Sequence, residues 1–166
     1  MAGTVFLDRD GTLIRDTGYL SSIRDVEILN GVVSGLKMFL SRNYRLHIVS
    51  NQSGIPRGLV STTEFQTVER YFIDLFQKNG VQFDSLNYCF HLASAGCSCR
   101  KPQTGLFEAV SVNFQTDKKR AAMVGNSLVD MEAAEKFGIA YWGVEQDKTD
   151  FLQVAQEVID YFETFE

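Results

Sequence analysis

Five short apolar runs rich in β-forming residues, at 4–7, 46–50, 86–90, 121–124 and 140–144, recur along this chain of 166 residues. Between them lie stretches with helical periodicity, at 31–42, 61–78, 104–114 and 127–137, and a last amphipathic stretch covers 149–162. This β-α-β-α order predicts an α/β fold: a Rossmann-like parallel sheet with helices on both faces, right-handed crossovers, and a site at the carboxyl ends of the strands. The second helix is the best marked. Ser61, Thr62 or Thr63 can cap it, Glu64 supports its first turn, and Phe65, Val68, Phe72 and Phe76 form an apolar stripe that reads as core. The length suits one domain over 1–166, and there is no internal repeat, low-complexity segment or linker composition.

The first strand runs directly into chemistry. Val5-Phe6-Leu7-Asp8-Arg9-Asp10-Gly11-Thr12-Leu13 places two carboxylates one residue apart at a strand end, with Gly11 and Thr12 suited to a tight turn beyond it. Crowded negative charge of this kind is tolerable mainly beside a divalent cation. An aspartate next to Mg²⁺ can attack phosphorus while a second one moves the proton of the leaving oxygen. The pattern therefore points to phosphoryl transfer, against the plainer reading of an Asp-Gly turn.

Three later segments also follow strands. Ser50-Asn51-Gln52-Ser53-Gly54-Ile55-Pro56-Arg57-Gly58 offers hydroxyl and amide donors for phosphate oxygens, and Arg57 offers a fork for a second anionic group; an ordinary polar loop is the plainer alternative. Arg100 and Lys101, fixed by Pro102, bring two cations, with Lys101 suited to offset transition-state charge and Arg100 to grip a substrate phosphate or hydroxyls. In Met123-Val124-Gly125-Asn126-Ser127-Leu128-Val129-Asp130, Asn126 is equally placed to contact a metal or to cap the following helix. Asp130, one turn later, suits a water-mediated metal contact or the orientation of Lys101. His47, inside an apolar strand, reads as a core or sheet-face residue.

Cys89, His91, Cys97 and Cys99 form a Cys-x-His-x5-Cys-x-Cys loop. Four soft ligands at this spacing match a closed tetrahedral Zn²⁺ site with a structural role, since a catalytic zinc keeps a position open. Three clustered thiols do not resemble the disulfide framework of a secreted domain.

The balance of 16 basic and 21 acidic residues, net −5, argues against nonspecific binding to nucleic acid or an anionic membrane, so an anionic ligand needs a local basic pocket. No apolar run approaches the length of a membrane span, and the N-terminus lacks a signal core, so a cytoplasmic monomer is expected, acting on a phosphorylated small molecule. The acidic end, 160–166, reads as a solvated helix terminus.

Taken together, Asp8-x-Asp10-Gly-Thr, Ser50, Lys101 and the 125–130 segment resemble the signature of the haloacid dehalogenase superfamily of phosphatases, in order and over nearly the whole chain. The Cys-His-Cys-Cys loop narrows the resemblance to a branch acting on heptose bisphosphates and histidinol phosphate. The resemblance implies Mg²⁺ as catalytic cofactor, Asp8 as nucleophile forming an aspartyl-phosphate, and Asp10 as acid/base lending its backbone carbonyl to the metal. It implies that Ser50 and Asn51 hold the phosphate, with Gln52, Ser53, Arg57 and Arg100 toward the substrate, and that Lys101 stabilises the transferring group. It further implies no large cap domain, with loops such as the zinc loop shaping access. Asp16-x-Gly18-Tyr19, the 51–58 loop and Arg100-Lys101-Pro102 look more like the heptose enzymes, while Gly80-Val81-Gln82-Phe83-Asp84 and the short zinc loop resemble the histidinol ones.

One position departs from the family pattern, which places Asp where this chain has Asn126. A neutral amide is a weaker ligand for a hard cation, so the sequence leaves open weak Mg²⁺ binding, compensation by Asp130, or a phospho-ligand binding protein that has lost turnover. Hydrolase and phosphotransferase share all these residues.

Overall fold

The computed structural model describes residues 3–164. Its sheet has five parallel strands, β1 (Thr4–Leu7), β2 (Arg45–Asn51), β3 (Ser85–Cys89), β4 (Ala121–Gly125) and β5 (Ala140–Gly143), in the order β3-β2-β1-β4-β5. Five α-helices accompany them: α1 (Val32–Ser41), α2 (Thr62–Lys78), α3 (Gly105–Phe114), α4 (Leu128–Phe137) and α5 (Phe151–Glu163). Every strand and helix read from periodicity is present, with ends moved by a few residues. Three 3₁₀ turns, at Ile23–Asp25, Ala93–Ala95 and Lys118–Arg120, carry no periodic signal and were not expected. Among the described residues, no insertion large enough to form a separate cap interrupts this order, and no helix is long and apolar enough to cross a membrane.

Alternation along the strands sorts the core into two layers. Val5 and Leu7 of β1 face α1, α2 and α5, where Leu36, Phe39, Phe72, Phe76, Val158 and Ile159 are buried with them. Phe6 points the other way and packs with Leu106, Phe107 and Val110 of α3 and Ala133, Ala134 and Phe137 of α4. A central strand must be apolar on both faces, and Val5, Phe6 and Leu7 are each fully buried. Ser61 caps α2 as the sequence predicts: its Oγ accepts from the Glu64 amide (3.1 Å) and its own amide donates to Glu64 Oε2 (2.7 Å).

β1 is flanked by β2 on one side and β4 on the other, so the chain reverses its direction of winding between β1 and β4. At such a switch point the following loops part and leave a crevice beyond the strand ends. The Leu7↔Val124 register aligns the last residues of both strands, and the ladder continues one step as the Asp8 amide donates to the Val124 carbonyl (3.0 Å). Asp8 and Asn126 therefore meet at the crevice.

His47 is a core residue. It is fully buried on β2, packs against Phe6 and Phe114 with centroids 5.9 and 4.5 Å away, and pairs through Nδ1 with Ser85 Oγ at 2.8 Å. Burial is the main cause of its pKa falling from 6.5 to about 4. The unfolded chain therefore binds a proton that the folded chain refuses between these values. The stability due to a neutral His47 is complete above pH 6.5 and is lost as the pH falls toward 4. Melting curves of the wild type and His47→Gln should differ by a constant amount above pH 6.5, with the difference moving in favour of the variant below it.

Candidate active site

The crevice is an open cleft of about 220 Å³ whose lining includes Asp8, Asp10, Ser50, Lys101, Asn126 and Asp130. Asp8 directly follows β1 at 9% exposure, Ser50 stands on β2 at 2%, and Lys101 reaches in from the loop after β3 at 2%. The Lys101 ammonium donates to Asp8 Oδ1 (2.8 Å), Asp130 Oδ1 (2.6 Å) and the Val49 carbonyl (2.7 Å). Burial works against its charge, but the two carboxylates outweigh burial and hold its pKa above the ordinary value. In the metal-free molecule burial pushes the Asp8 carboxyl up to about 6; Lys101 pulls it back and Asp130 pushes it further up. A cation beside Asp8 would restore the carboxylate.

Asp130 pairs with Lys101, the contact that one of its two sequence readings expects. One oxygen takes the ammonium, while Oδ2 accepts from the amides of Asn126 (3.1 Å) and Ser127 (3.1 Å) and from Ser127 Oγ (2.7 Å). It is 1% exposed and its oxygens are occupied. The same contacts overturn the reading of Asn126 as a helix cap: Ser127 is the N-cap of α4, because the chain stays extended there (φ −130°, ψ 160°) and Asp130 reaches back to it. Gly125 makes this possible, since a Cβ there would lie 2.6 Å from Asp130 Cβ.

Asn126 is thereby free to face the first strand. One terminal atom of its amide lies 3.1 Å from Asp8 Oδ2 and 3.3 Å from both the Asp10 carbonyl oxygen and Thr12 Oγ1. With oxygen there, the amide accepts from Thr12 Oγ1 (3.3 Å), and three oxygens converge as ligands of a hard cation do. With nitrogen there, it donates to the same neighbours. Gly11 lets this approach happen: its φ of +77° suits glycine, and a Cβ would fall 2.2 Å from the Asn126 amide.

Asp10 is held in a network that periodicity does not reveal. Arg9, 1% exposed, donates from Nη2 to Asp10 Oδ2 (3.0 Å) and Gln52 Oε1 (3.1 Å), and its guanidinium lies over the rings of Phe65 and Tyr88 at 5.6 and 5.9 Å. Gln52 Nε2 donates to Asp10 Oδ2 (2.7 Å) and Ser50 Oγ (3.0 Å). Sequence reading passed over Arg9. Its position between the two aspartates was a signal, but its aromatic cage comes from α2 and β3.

Other sequence candidates separate. Gln52 and Ser53 line the cleft, as does Asn51, but the Asn51 side chain is engaged with the Lys101 backbone, donating to its carbonyl (3.0 Å) and accepting from its amide (2.9 Å). Arg57 is exposed and does not line the cleft. Arg100 does not line it either and donates to the His91 carbonyl (3.2 Å).

The ligand atoms of Cys89, His91, Cys97 and Cys99 all lie within 4.8 Å of one another. Cys97 Sγ is 3.7 Å from the sulfurs of both Cys89 and Cys99, close to the separation of about 3.8 Å expected for tetrahedral thiolates on an ion at about 2.3 Å, while the Cys89 and Cys99 sulfurs lie closer, at 3.2 Å. The cluster is competent to hold a soft tetrahedral ion. Because it lies just before Lys101, it also anchors the loop that carries the ammonium.

Comparison with known proteins places this geometry. A family model described as polynucleotide kinase 3 phosphatase matches residues 4–155. The chain is 38% identical over 129 residues to D-glycero-alpha-D-manno-heptose-1,7-bisphosphate 7-phosphatase of Campylobacter jejuni, covering 78% of this chain and 74% of the relative. It is 39% identical over 142 residues to D-glycero-beta-D-manno-heptose-1,7-bisphosphate 7-phosphatase of Haemophilus ducreyi, covering 81% and 78%. Among solved structures, D,D-heptose 1.7-bisphosphate phosphatase from B. bronchiseptica, complexed with magnesium and phosphate, superposes with a TM-score of 0.85 at 25% identity, covering 96% of this chain and 99% of that one.

Replacing Lys101 by Met should leave two buried carboxylates without their shared cation, lowering metal-free stability by about 3 kcal/mol in urea unfolding. A loss below about 1 kcal/mol, the scale of a surface ion pair, would show that the ammonium is not the central tie.

Proposed function

Because this chain belongs to the polynucleotide kinase 3 phosphatase family and is a phosphatase of the haloacid dehalogenase type, we propose that it hydrolyses a phosphorylated sugar, the 7-phosphate of a heptose 1,7-bisphosphate, with Asp8 as nucleophile. The observation that carries the reading is Asp8 on the floor of an open cleft, with Lys101 Nζ 2.8 Å away and Ser50 and Asp10 on the same cleft wall. The heptose assignment rests on the named relatives; those relatives act on different anomers, so it extends to the bisphosphate and not to its anomer. Net charge −5 favours a small substrate over a polynucleotide.

In this mechanism the substrate phosphoryl group enters between Asp8, Ser50 and Lys101. An Asp8 oxygen forms a bond to phosphorus as the bond to the sugar oxygen breaks, and Asp10 gives that oxygen a proton. Asp10 then takes a proton from water as the water oxygen attacks the phosphoryl group, releasing inorganic phosphate and restoring Asp8. Lys101 offsets the charge on the transferring oxygens, and the Ser50 hydroxyl donates to one of them. Asn51 positions Lys101 through its backbone; Arg9 and Gln52 position Asp10. The donor set at the strand ends, the Asp8 carboxylate, the Asp10 carbonyl and the oxygen-inward form of Asn126, suits Mg²⁺, which when bound supplies charge neutralisation. Asp130 acts on that site indirectly, through Lys101 and the Asn126 amide. Cys89, His91, Cys97 and Cys99 would hold Zn²⁺ in a structural role, since four protein ligands leave no open position.

A second reading, a phospho-ligand binding protein without turnover, is favoured by Asn126 alone. Phosphate release separates the two. Heptose 1,7-bisphosphate, offered with Mg²⁺ beside histidinol phosphate and a 3′-phosphorylated oligonucleotide, should be the best substrate, and Asp8→Asn should abolish turnover while the protein still folds. Preference for histidinol phosphate or for the oligonucleotide would replace the heptose assignment, and turnover near the wild-type rate in Asp8→Asn would remove Asp8 as nucleophile. Stripping zinc should lower the melting temperature; an unchanged one after verified metal loss would rule out the structural role.

A further inference from the structure

Asn126 does more than replace a carboxylate. The nearer of its two amide terminal atoms sits 3.1 Å from Asp8 Oδ2 and 3.3 Å from the Asp10 carbonyl oxygen, the same two oxygens that a cation at the strand ends requires. Amide oxygen and nitrogen have nearly the same shape, so which of them lies inward is decided by its neighbours. Without a cation, oxygen inward leaves the amide facing two acceptors, whereas nitrogen inward turns both contacts into hydrogen bonds. With a cation present, the preference inverts, because only the oxygen can ligate it.

We infer that Asn126 is an internal seal on the cation position: its NH₂ group holds Asp8 and Asp10 together in the metal-free protein, and its amide must turn over to admit a divalent ion. The inference rests on the phosphatase reading for the purpose of that ion, but not for the seal itself. A carboxylate at 126 could not seal. It would bring a further negative charge to about 3 Å from Asp8, beside a Lys101 already shared with Asp130. The seal therefore predicts a pair of effects, and the part that charge repulsion by Asp cannot imitate is a loss of metal-free stability when the amide is removed without adding a charge. Relative to Asp at this position, Asn must stabilise the metal-free protein and weaken cation binding, both together.

The test uses zinc-replete protein freed of other divalent ions. Mn²⁺ affinity is read from the free-ion paramagnetic signal, and melting temperature is measured with and without Mg²⁺. Asn126→Asp should bind Mn²⁺ about tenfold more tightly, as an added charged ligand does. Without metal it should melt about 3 °C or more below wild type. An unchanged or higher metal-free melting temperature overturns the seal, and so does equal cation affinity. Asn126→Ala, which removes the amide without adding a charge, separates the seal from repulsion by Asp: the seal requires a lower metal-free melting temperature than wild type and a Mg²⁺-induced rise at least as large. A simple weak ligand gives an unchanged metal-free value and a smaller rise, which overturns the inference. Phosphate release by Mg²⁺-saturated Asn126→Asp reads the other question. A variant that binds the ion tightly and releases no phosphate from any of the three substrates would count against the phosphatase reading while leaving the seal intact.

Discussion

The Lys101 ammonium is gripped by three oxygens from three separate parts of the chain: the Asp8 carboxylate after β1, the Val49 carbonyl on β2 and the Asp130 carboxylate on α4. Two buried carboxylates facing one crevice repel each other and resist desolvation, and a buried ammonium alone is equally unfavourable. Together they compensate, and in doing so they fix the distance between the two halves of the sheet at the switch point. The site depends on that distance, because Asp8 and Asn126 directly follow the two strands that part there.

An ammonium on a flexible stem is a poor structural centre unless its backbone is held. Two devices hold it here. The Asn51 side chain pairs with both the amide and the carbonyl of Lys101, which locks the peptide to the end of β2. Upstream, the Cys-His cluster gathers four ligand atoms, and Arg100 ties back to the His91 carbonyl. The cluster therefore links to the cleft through position: a loop drawn together by four converging side chains delivers its next residue to a constant place.

The environments of Asp8 and Asp10 differ. Asp8 is deeply buried beside an ammonium, while Asp10 is partly open and faces Arg9 and Gln52, a fork and an amide that fix its orientation. Arg9 carries its own charge into the core because the Asp10 carboxylate and Gln52 accept from it and Phe65 and Tyr88 offer ring faces beside it. Asn126 adds a neutral group where the crowding of oxygens is greatest, and that choice connects metal-free stability to cation affinity.

The sequence by itself determined the order of strands and helices, because apolar periodicity and turn chemistry are local properties; the Ser61–Glu64 cap and the two faces of β1 follow from them. It also determined which residues stand at strand ends, Asp8, Asp10, Ser50 and Asn126, and that Cys89, His91, Cys97 and Cys99 share one short loop. It did not determine which of those residues touch. Arg57 and Arg100 read as substrate grips but do not line the cleft, and Asn51, which does line it, also braces the Lys101 backbone with its side chain. Arg9 gave no periodic signal, and Asn126 lost the helix cap to Ser127. The Ser127 cap is a local Ser-x-x-Asp pairing, but the brace on Lys101, the rings around Arg9 and the meeting of Asn126 with Asp8 join segments far apart in the chain, the last through the register that aligns Val124 with Leu7. Such contacts are set by packing between elements far apart in the chain, and only the tertiary structure could decide them.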